Sequence, residues 1–393
     1  MVSPSLPSGP SGYASEIYLN GMAGVLPPLT TAALDLEDAA RAELDAKPFW
    51  YVAGSAGSGA TNRANREAFD RWRIVPRMLT GATVRDLTTT VLGTTLSAPV
   101  ITAPIGVQSI LHPDAERAAA HVARELGIAM ALSTVSSLTL EEVAREGGDS
   151  ARWFQLYWPN DPDVCVSLLE RAQAAGFTAL VVTLDTWLLG WRPHDLDSAY
   201  LPFLSGEGLA NYFVDPAFLA GLAKPPAEDP VGAIAHWLPM FTGVDHTWDE
   251  IAFLREHWDG PIALKGIQSV EDARRALDAG VQGVVVSNHG GRQVDGAIAS
   301  LDALPGIVDA VGDSVEVLFD SGIRTGSDIV KALALGARAV LIGRPWAYGL
   351  GLGGTAGVRH VLRSLLADFE LALALSGHTT PAALTRDCLQ RHE

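Results

Sequence analysis

Gly283-Val284-Val285-Val286-Ser287-Asn288-His289-Gly290-Gly291-Arg292-Gln293 joins a short apolar run to a polar, glycine-rich turn. A run of valines this short and this apolar predicts a strand buried on both faces. The turn sets a titratable histidine and a permanent cation at the strand's end. Its two glycines let the backbone come close to a neighbour. A helical pattern starts near Ser300, so the stretch reads as one βα unit.

The unit recurs. Strand-like runs are expected at 99–103, 129–133, 153–157, 179–185, 262–266, 283–287, 315–320 and 338–342, with helical patterns at 114–126, 138–145, 162–175, 270–279 and 326–335. Eight repeats without a composition break predict a parallel sheet closed into a (β/α)8 TIM barrel rather than an open doubly wound sheet. Ahead of it, 30–45 has amphipathic helical spacing with Thr30 or Thr31 as cap, and 63–72 reads as a second short helix. Residues 74–98 look like a small sheet or an extended segment. Residues 1–15 are expected to form a disordered tail and 16–393 a single barrel domain. One interval breaks the rhythm. After strand four, about 198–245 is an insertion rich in Pro, Gly and aromatics, including Phe203, Tyr212, Phe218, Trp237 and Phe241. Its aromatic content argues against disorder and leaves two readings, a lid over the strand ends or a contact between subunits.

Composition narrows the function. The chain has 393 residues, 48% apolar and 19% charged, with a net charge of −17 and no basic run. That excludes nucleic acid and an anionic membrane surface as partners. Cys165 and Cys388 stand far apart, which excludes a disulfide framework and fits a reducing compartment. No signal-peptide pattern and no bilayer-length apolar run is present, so a soluble cytoplasmic protein is expected.

Active sites of such barrels lie at the C-terminal strand ends. Those ends collect Pro104-Ile105-Gly106, Ser133, Gln155, Tyr157, Thr183, Asp185, Arg192, Lys265, Ser287, His289, Arg292, Asp320, Gly322, Arg324, Gly343 and Arg344. Buried polar groups are costly unless partnered, so polar residues at all eight ends point to a polar ligand. His289 is the candidate base, with Asp185 orienting its ring. Arg192 and Arg292 can clamp a carboxylate, with Tyr51 and Tyr157 adding hydroxyl donors. Lys265 would face a ring that gains negative charge on reduction. Asp320-Ser321-Gly322-Ile323-Arg324 and Gly343-Arg344 follow strands seven and eight, where barrels hold phosphates. Gly349-Leu350-Gly351-Leu352-Gly353-Gly354 matches a dinucleotide fingerprint in form but not in context, and is expected to pack a helix against the barrel base. No metal site is expected, because His236, Asp245 and His246 lack ligand spacing.

Ser287-Asn288-His289-Gly290-Gly291-Arg292-Gln293 resembles the signature of the FMN-dependent α-hydroxy acid oxidases and dehydrogenases. Tyr51-Val52-Ala53-Gly54, Ala103-Pro104-Ile105-Gly106, Phe154-Gln155-Leu156-Tyr157, Leu264-Lys265-Gly266 and Asp320-Ser321-Gly322-Ile323-Arg324 are similar to the family in register. Within it, Leu184-Asp185-Thr186-Trp187, Gly190-Trp191-Arg192-Pro193 and the long insertion resemble the lactate 2-monooxygenase branch. The resemblance implies FMN, with its phosphate on Arg324, Gly343 and Arg344. It implies Pro104, Ile105 and Gly106 along the ring, and Ser133, Gln155, Thr183, Lys265, Ser287, Asp320, Ser321, Gly322 and Ile323 among the cofactor contacts. It also implies a small L-2-hydroxy acid and O2 as reactants and a homo-oligomer, tetramer or octamer. The branch implies oxidative decarboxylation of L-lactate to acetate, CO2 and water; the alternative is simple oxidation to the 2-keto acid, on lactate or a larger, aromatic substrate.

Overall fold

The computed structural model describes residues 9–243 and 246–392. Eight parallel strands close into a barrel: β1 (Val100–Thr102), β2 (Ala129–Ser133), β3 (Arg152–Leu156), β4 (Ala179–Thr183), β5 (Ile262–Ile267), β6 (Gly283–Val286), β7 (Glu316–Phe319) and β8 (Val340–Ile342). Val340 pairs with Val100 and Ile342 with Thr102, which seals the ring.

The strands read as continuous apolar runs because each feeds two cores. Ile101, Ala129, Ala131, Trp153, Ala179, Val181, Ala263, Val285, Leu318 and Leu341 fill the barrel interior, mostly with small side chains around one tryptophan. Their alternate neighbours, such as Met130, Phe154, Leu180, Leu264, Val284 and Phe319, pack outward against the helices. A period of two is present in direction and invisible in polarity.

The helices start where the sequence supplies caps. Thr139, Asp161, Ser269 and Thr325 accept from backbone N–H groups ahead of Leu140–Gly147, Pro162–Ala174, Val270–Asp278 and Gly326–Ala334. Segment 74–98 contains a hairpin, Thr89–Val91 with Thr94–Leu96, whose Val91, Leu92 and Leu96 join the interior core.

Three expectations change. Residues 1–8 lie outside the described residues, but a helix, Gly12–Met22, begins inside the expected tail of residues 1–15. Tyr13 anchors it, its hydroxyl 2.7 Å from His360 Nδ1; one buried aromatic outweighs a Ser/Pro/Gly-rich neighbourhood. Residues 30–45 form a short 3-10 turn, Ala33–Asp35, and then the helix Leu36–Glu43. The glycine run lies in helix Arg344–Leu375 and bends it at Gly353-Gly354 instead of seating it on the barrel base. Eight residues of straight helix span about 12 Å, yet a Cβ on Gly357 would lie 1.9 Å from the carbonyl oxygen of Gly349.

The insertion is folded. Helices Ala210–Phe213, Pro216–Ala220 and Pro230–Phe241 lie in it, and in the last of them the ring of Trp237 lies 5.2 Å from Phe203, 6.0 Å from Tyr212 and 4.8 Å from Phe241. Asn211 ties it to the barrel top, donating to the Thr134 carbonyl and Ser136 Oγ and accepting from Leu140 N–H. Asp245 lies outside the described residues.

Gly357→Ala should cost about 1–3 kcal/mol, read as a lowered thermal midpoint. Gly353→Ala, which meets nothing within 4 Å, should leave it nearly unchanged.

Candidate active site

A cleft of about 950 Å³ opens at the C-terminal strand ends. Tyr51, Pro104, Ile105, Gly106, Tyr157, Arg192, Lys265, His289, Arg292, Asp320, Ser321, Gly322, Ile323, Arg324, Gly343 and Arg344 line it, so the sequence brings one connected set together. Thr183 and Asp185 line an adjoining cleft that shares Tyr157 and Thr186. Ser133, Gln155 and Ser287 are buried at the ends of β2, β3 and β6 and line neither.

His289 follows β6 with φ +56°, a left-handed backbone uncommon outside glycine. Its N–H donates to Ser287 Oγ at 3.0 Å, and its Nδ1 lies 2.7 Å from Asp185 Oδ1 and 3.1 Å from Thr186 Oγ1. With Nδ1 donating to the carboxylate, Nε2 is left as a proton acceptor. Burial lowers the His289 pKa and outweighs the opposing pull of Asp185, while Lys265 lowers it further. Asp185 behaves oppositely. Burial alone would raise its carboxyl, but His289 and Lys265, whose Nζ is 4.0 Å from Oδ2, bring it down to about 2. The two directions favour a neutral ring beside a charged carboxylate.

Lys265, on β5, is 4% exposed. Its Nζ donates to Ser287 Oγ at 3.1 Å and lies 3.5 Å from Asp320 Oδ2, and Ser287 donates to that same oxygen at 2.6 Å. Ser321 Oγ accepts from Gly290 N–H at 3.0 Å, so the turns after β6 and β7 hold each other.

Arg192 precedes helix Pro193–Asp197, with Nε donating to the Arg292 carbonyl and an Nη to Gln293 Oε1 at 2.7 Å. Arg292 donates to the Gly54 carbonyl and stacks over Tyr51 at 5.4 Å. Among the described residues neither guanidinium has a carboxylate within 4 Å. Burial first, and Arg292 next, lower Arg192 to about 10. A pair of cations without a carboxylate within 4 Å among the described residues, in one cleft with the buried Tyr51 and the half-buried Tyr157, suits an anionic ligand.

Two details depart from the sequence reading. The glycines of the signature make room for the protein itself: a Cβ on Gly291 would sit 2.6 Å from Asn62 N, and one on Gly290 2.8 Å from an Arg344 Nη. The Arg344 side chain donates to the carbonyls of Val52, Gly54 and Gly290 at 3.0, 2.8 and 2.9 Å. Its guanidinium braces the site, so the helix start at Gly343-Arg344 and the Arg324 side chain are the groups that could hold a phosphate. Thr186 and Gln293 went unassigned in the sequence, although both stand in quoted motifs. Gln293 pins the loop after β4 by donating to the carbonyls of Asp185 and Leu188. Asn65, whose amide pairs with that of Asn288 through bonds of 2.8 and 2.7 Å, carried no local signal.

The pattern common to the FMN-dependent dehydrogenases matches residues 40–391. This chain belongs to that family. It is 49% identical over 383 residues to the FMN-dependent alpha-hydroxy acid dehydrogenase qulF of Penicillium citrinum, covering 96% of this chain and 95% of the relative. It is 44% identical over 347 residues to an L-lactate oxidase of Nostoc sp., covering 87% and 93%. The crystal structure of a mandelate oxidase superposes with a TM-score of 0.82 at 39% identity, covering 93% of this chain and 99% of that one.

FMN is the cofactor of this family, and the residues present fit it. Both the oxygen and the nitrogen of the Gln155 amide are buried without a partner, a donor and an acceptor matched to a ring that carries both. Arg324 is half-buried and has no carboxylate within 4 Å among the described residues. If Gln155 meets the ring, Gln155→Leu should loosen FMN by roughly tenfold, read as flavin fluorescence released on dilution of the holoenzyme.

Proposed function

We propose that this chain oxidises L-2-hydroxy acids to 2-keto acids with FMN as two-electron acceptor and O2 as terminal oxidant. The observation that carries the reading is the meeting, in one cleft, of a neutral His289 held by Asp185 and an arginine pair short of counter-charge. Arg192 and Arg292 would bind the substrate carboxylate, and Tyr51 and Tyr157 would add hydroxyl donors. That grip leaves the 2-hydroxyl carbon to His289 Nε2, which takes up the proton, and Asp185 stabilises the imidazolium that results. Lys265 would put a positive charge beside the cofactor's ring, and Arg324 with the Gly343-Arg344 helix start would hold its phosphate. The names of the relatives, hydroxy acid dehydrogenases and oxidases, support this reading.

For each hydroxy acid consumed, one O2 becomes one H2O2. Tyr157, Leu189, Phe203 and Phe241 in the cleft wall favour substrates with an apolar side chain. Acetate formation from L-lactate is the second reading. One observation favours it: the insertion contributes Phe203 and Phe241 to the cleft, and a closed mouth would keep the keto acid beside the peroxide. A homo-oligomer, tetramer or octamer, belongs to the same proposal. Among the described residues no helix is long and apolar enough to cross a membrane.

Turnover of L-lactate and L-mandelate in air, with keto acid, peroxide and acetate quantified, separates the readings. We expect keto acid and peroxide in equal amounts, and acetate as the main lactate product would restore the decarboxylating one. His289→Gln should reduce kcat/KM by about 10²–10⁴-fold while FMN stays bound, as read from its visible absorbance.

A further inference from the structure

Arg324 lines a second crevice besides the active-site cleft, and Glu37, Arg63, Arg66 and Tyr348 line it too. Glu37 stands in the first turn of helix Leu36–Glu43, where the positive end of the helix suits a carboxylate. Tyr348 Oη donates to Glu37 Oε2 at 2.9 Å. Tyr348 is 2% exposed and stacks on Phe49, so its hydroxyl fixes one oxygen of the half-buried Glu37 carboxylate.

The charges nearby are unevenly matched. Asp328 is committed to Arg66 at 2.7 Å. Arg324 and Arg344 have no carboxylate within 4 Å among the described residues, and burial lowers the pKa of both. Glu37, farther off, acts in the opposite sense on both of them. A tether between helices Leu36–Glu43 and Arg344–Leu375 would need only a hydrogen-bond acceptor at position 37, which glutamine also supplies. A charge there matters only if something in the crevice feels it.

We propose that Glu37 is a resident counter-ion of Arg324 and Arg344 that competes with the cofactor's phosphate and so sets how tightly this chain holds FMN. The inference rests on the reading of Arg324 as the phosphate residue. A phosphate dianion on Arg324 shares that guanidinium with a fixed carboxylate, and like charges so placed repel. In the cofactor-free protein the same carboxylate offsets two cations, one buried at Arg344 and one half-buried at Arg324.

The test strips FMN from the full-length protein and titrates FMN and riboflavin, which lacks the phosphate, into the wild type and Glu37→Gln by flavin fluorescence. The variant should bind FMN on the order of fivefold tighter, riboflavin equally well, and the FMN difference should shrink in high salt. Unchanged or weaker FMN binding, or the same change for riboflavin, overturns the proposal and leaves a tether. Wild-type protein that binds riboflavin as tightly as FMN overturns the phosphate reading itself, and the proposal with it.

Discussion

Asp185 lies between His289 and Lys265 where little water reaches, and the ionisation of the barrel mouth follows from that placement. A carboxylate so buried would ordinarily take up a proton. Two basic groups prevent it, and its negative charge in turn orients the imidazole through Nδ1. Lys265 opposes protonation of His289 and is itself held by Ser287 and Asp320. The three residues come from the ends of β4, β5 and β6, so the chemistry depends on the barrel register that sets Thr183 beside Lys265 and Lys265 beside Val285. Closing the barrel puts these side chains within hydrogen-bonding reach with no long loop to order.

The same closure explains what the sequence made legible. Strand positions were readable because both faces of each strand are apolar, and most of the polar residues stand at or just past the C-terminal ends, Arg152 and Glu316 at strand starts being exceptions. The base, its carboxylate and the arginine pair fell at those ends. Asn65 did not, because its partner Asn288 is distant in sequence and a lone asparagine in a helix carries no pattern. The bracing role of the Arg344 guanidinium was hidden for a related reason: the carbonyls of Val52 and Gly54 reach it only once helix Ala46–Ala53 packs over the barrel mouth. Tyr13 shows the limit of composition, since one buried contact with His360 orders a segment whose residues suggest a tail.

The insertion gives the site its individuality. Its cluster around Trp237 is a small core of its own, and Phe203 and Phe241 extend that core into the cleft wall. The residues that would contact a substrate's apolar end thus also hold the insertion together. The charged half of the site is rigid by comparison, tied by short hydrogen bonds among strand ends.

The central claim is that a neutral His289, kept so by burial and oriented by Asp185, takes the substrate's proton. The pH dependence of kcat/KM in the wild type and Asp185→Asn measures this most directly. A base whose pKa is lowered loses activity only as pH falls through that lowered value, so the wild-type acid limb should lie below the ordinary imidazole value of about 6.5. Removing the carboxylate removes the influence that raises the His289 pKa. The variant's limb should therefore move to still lower pH, with a plateau reduced by at least about tenfold. An Asp185→Asn enzyme with wild-type activity and an unmoved limb would contradict the account.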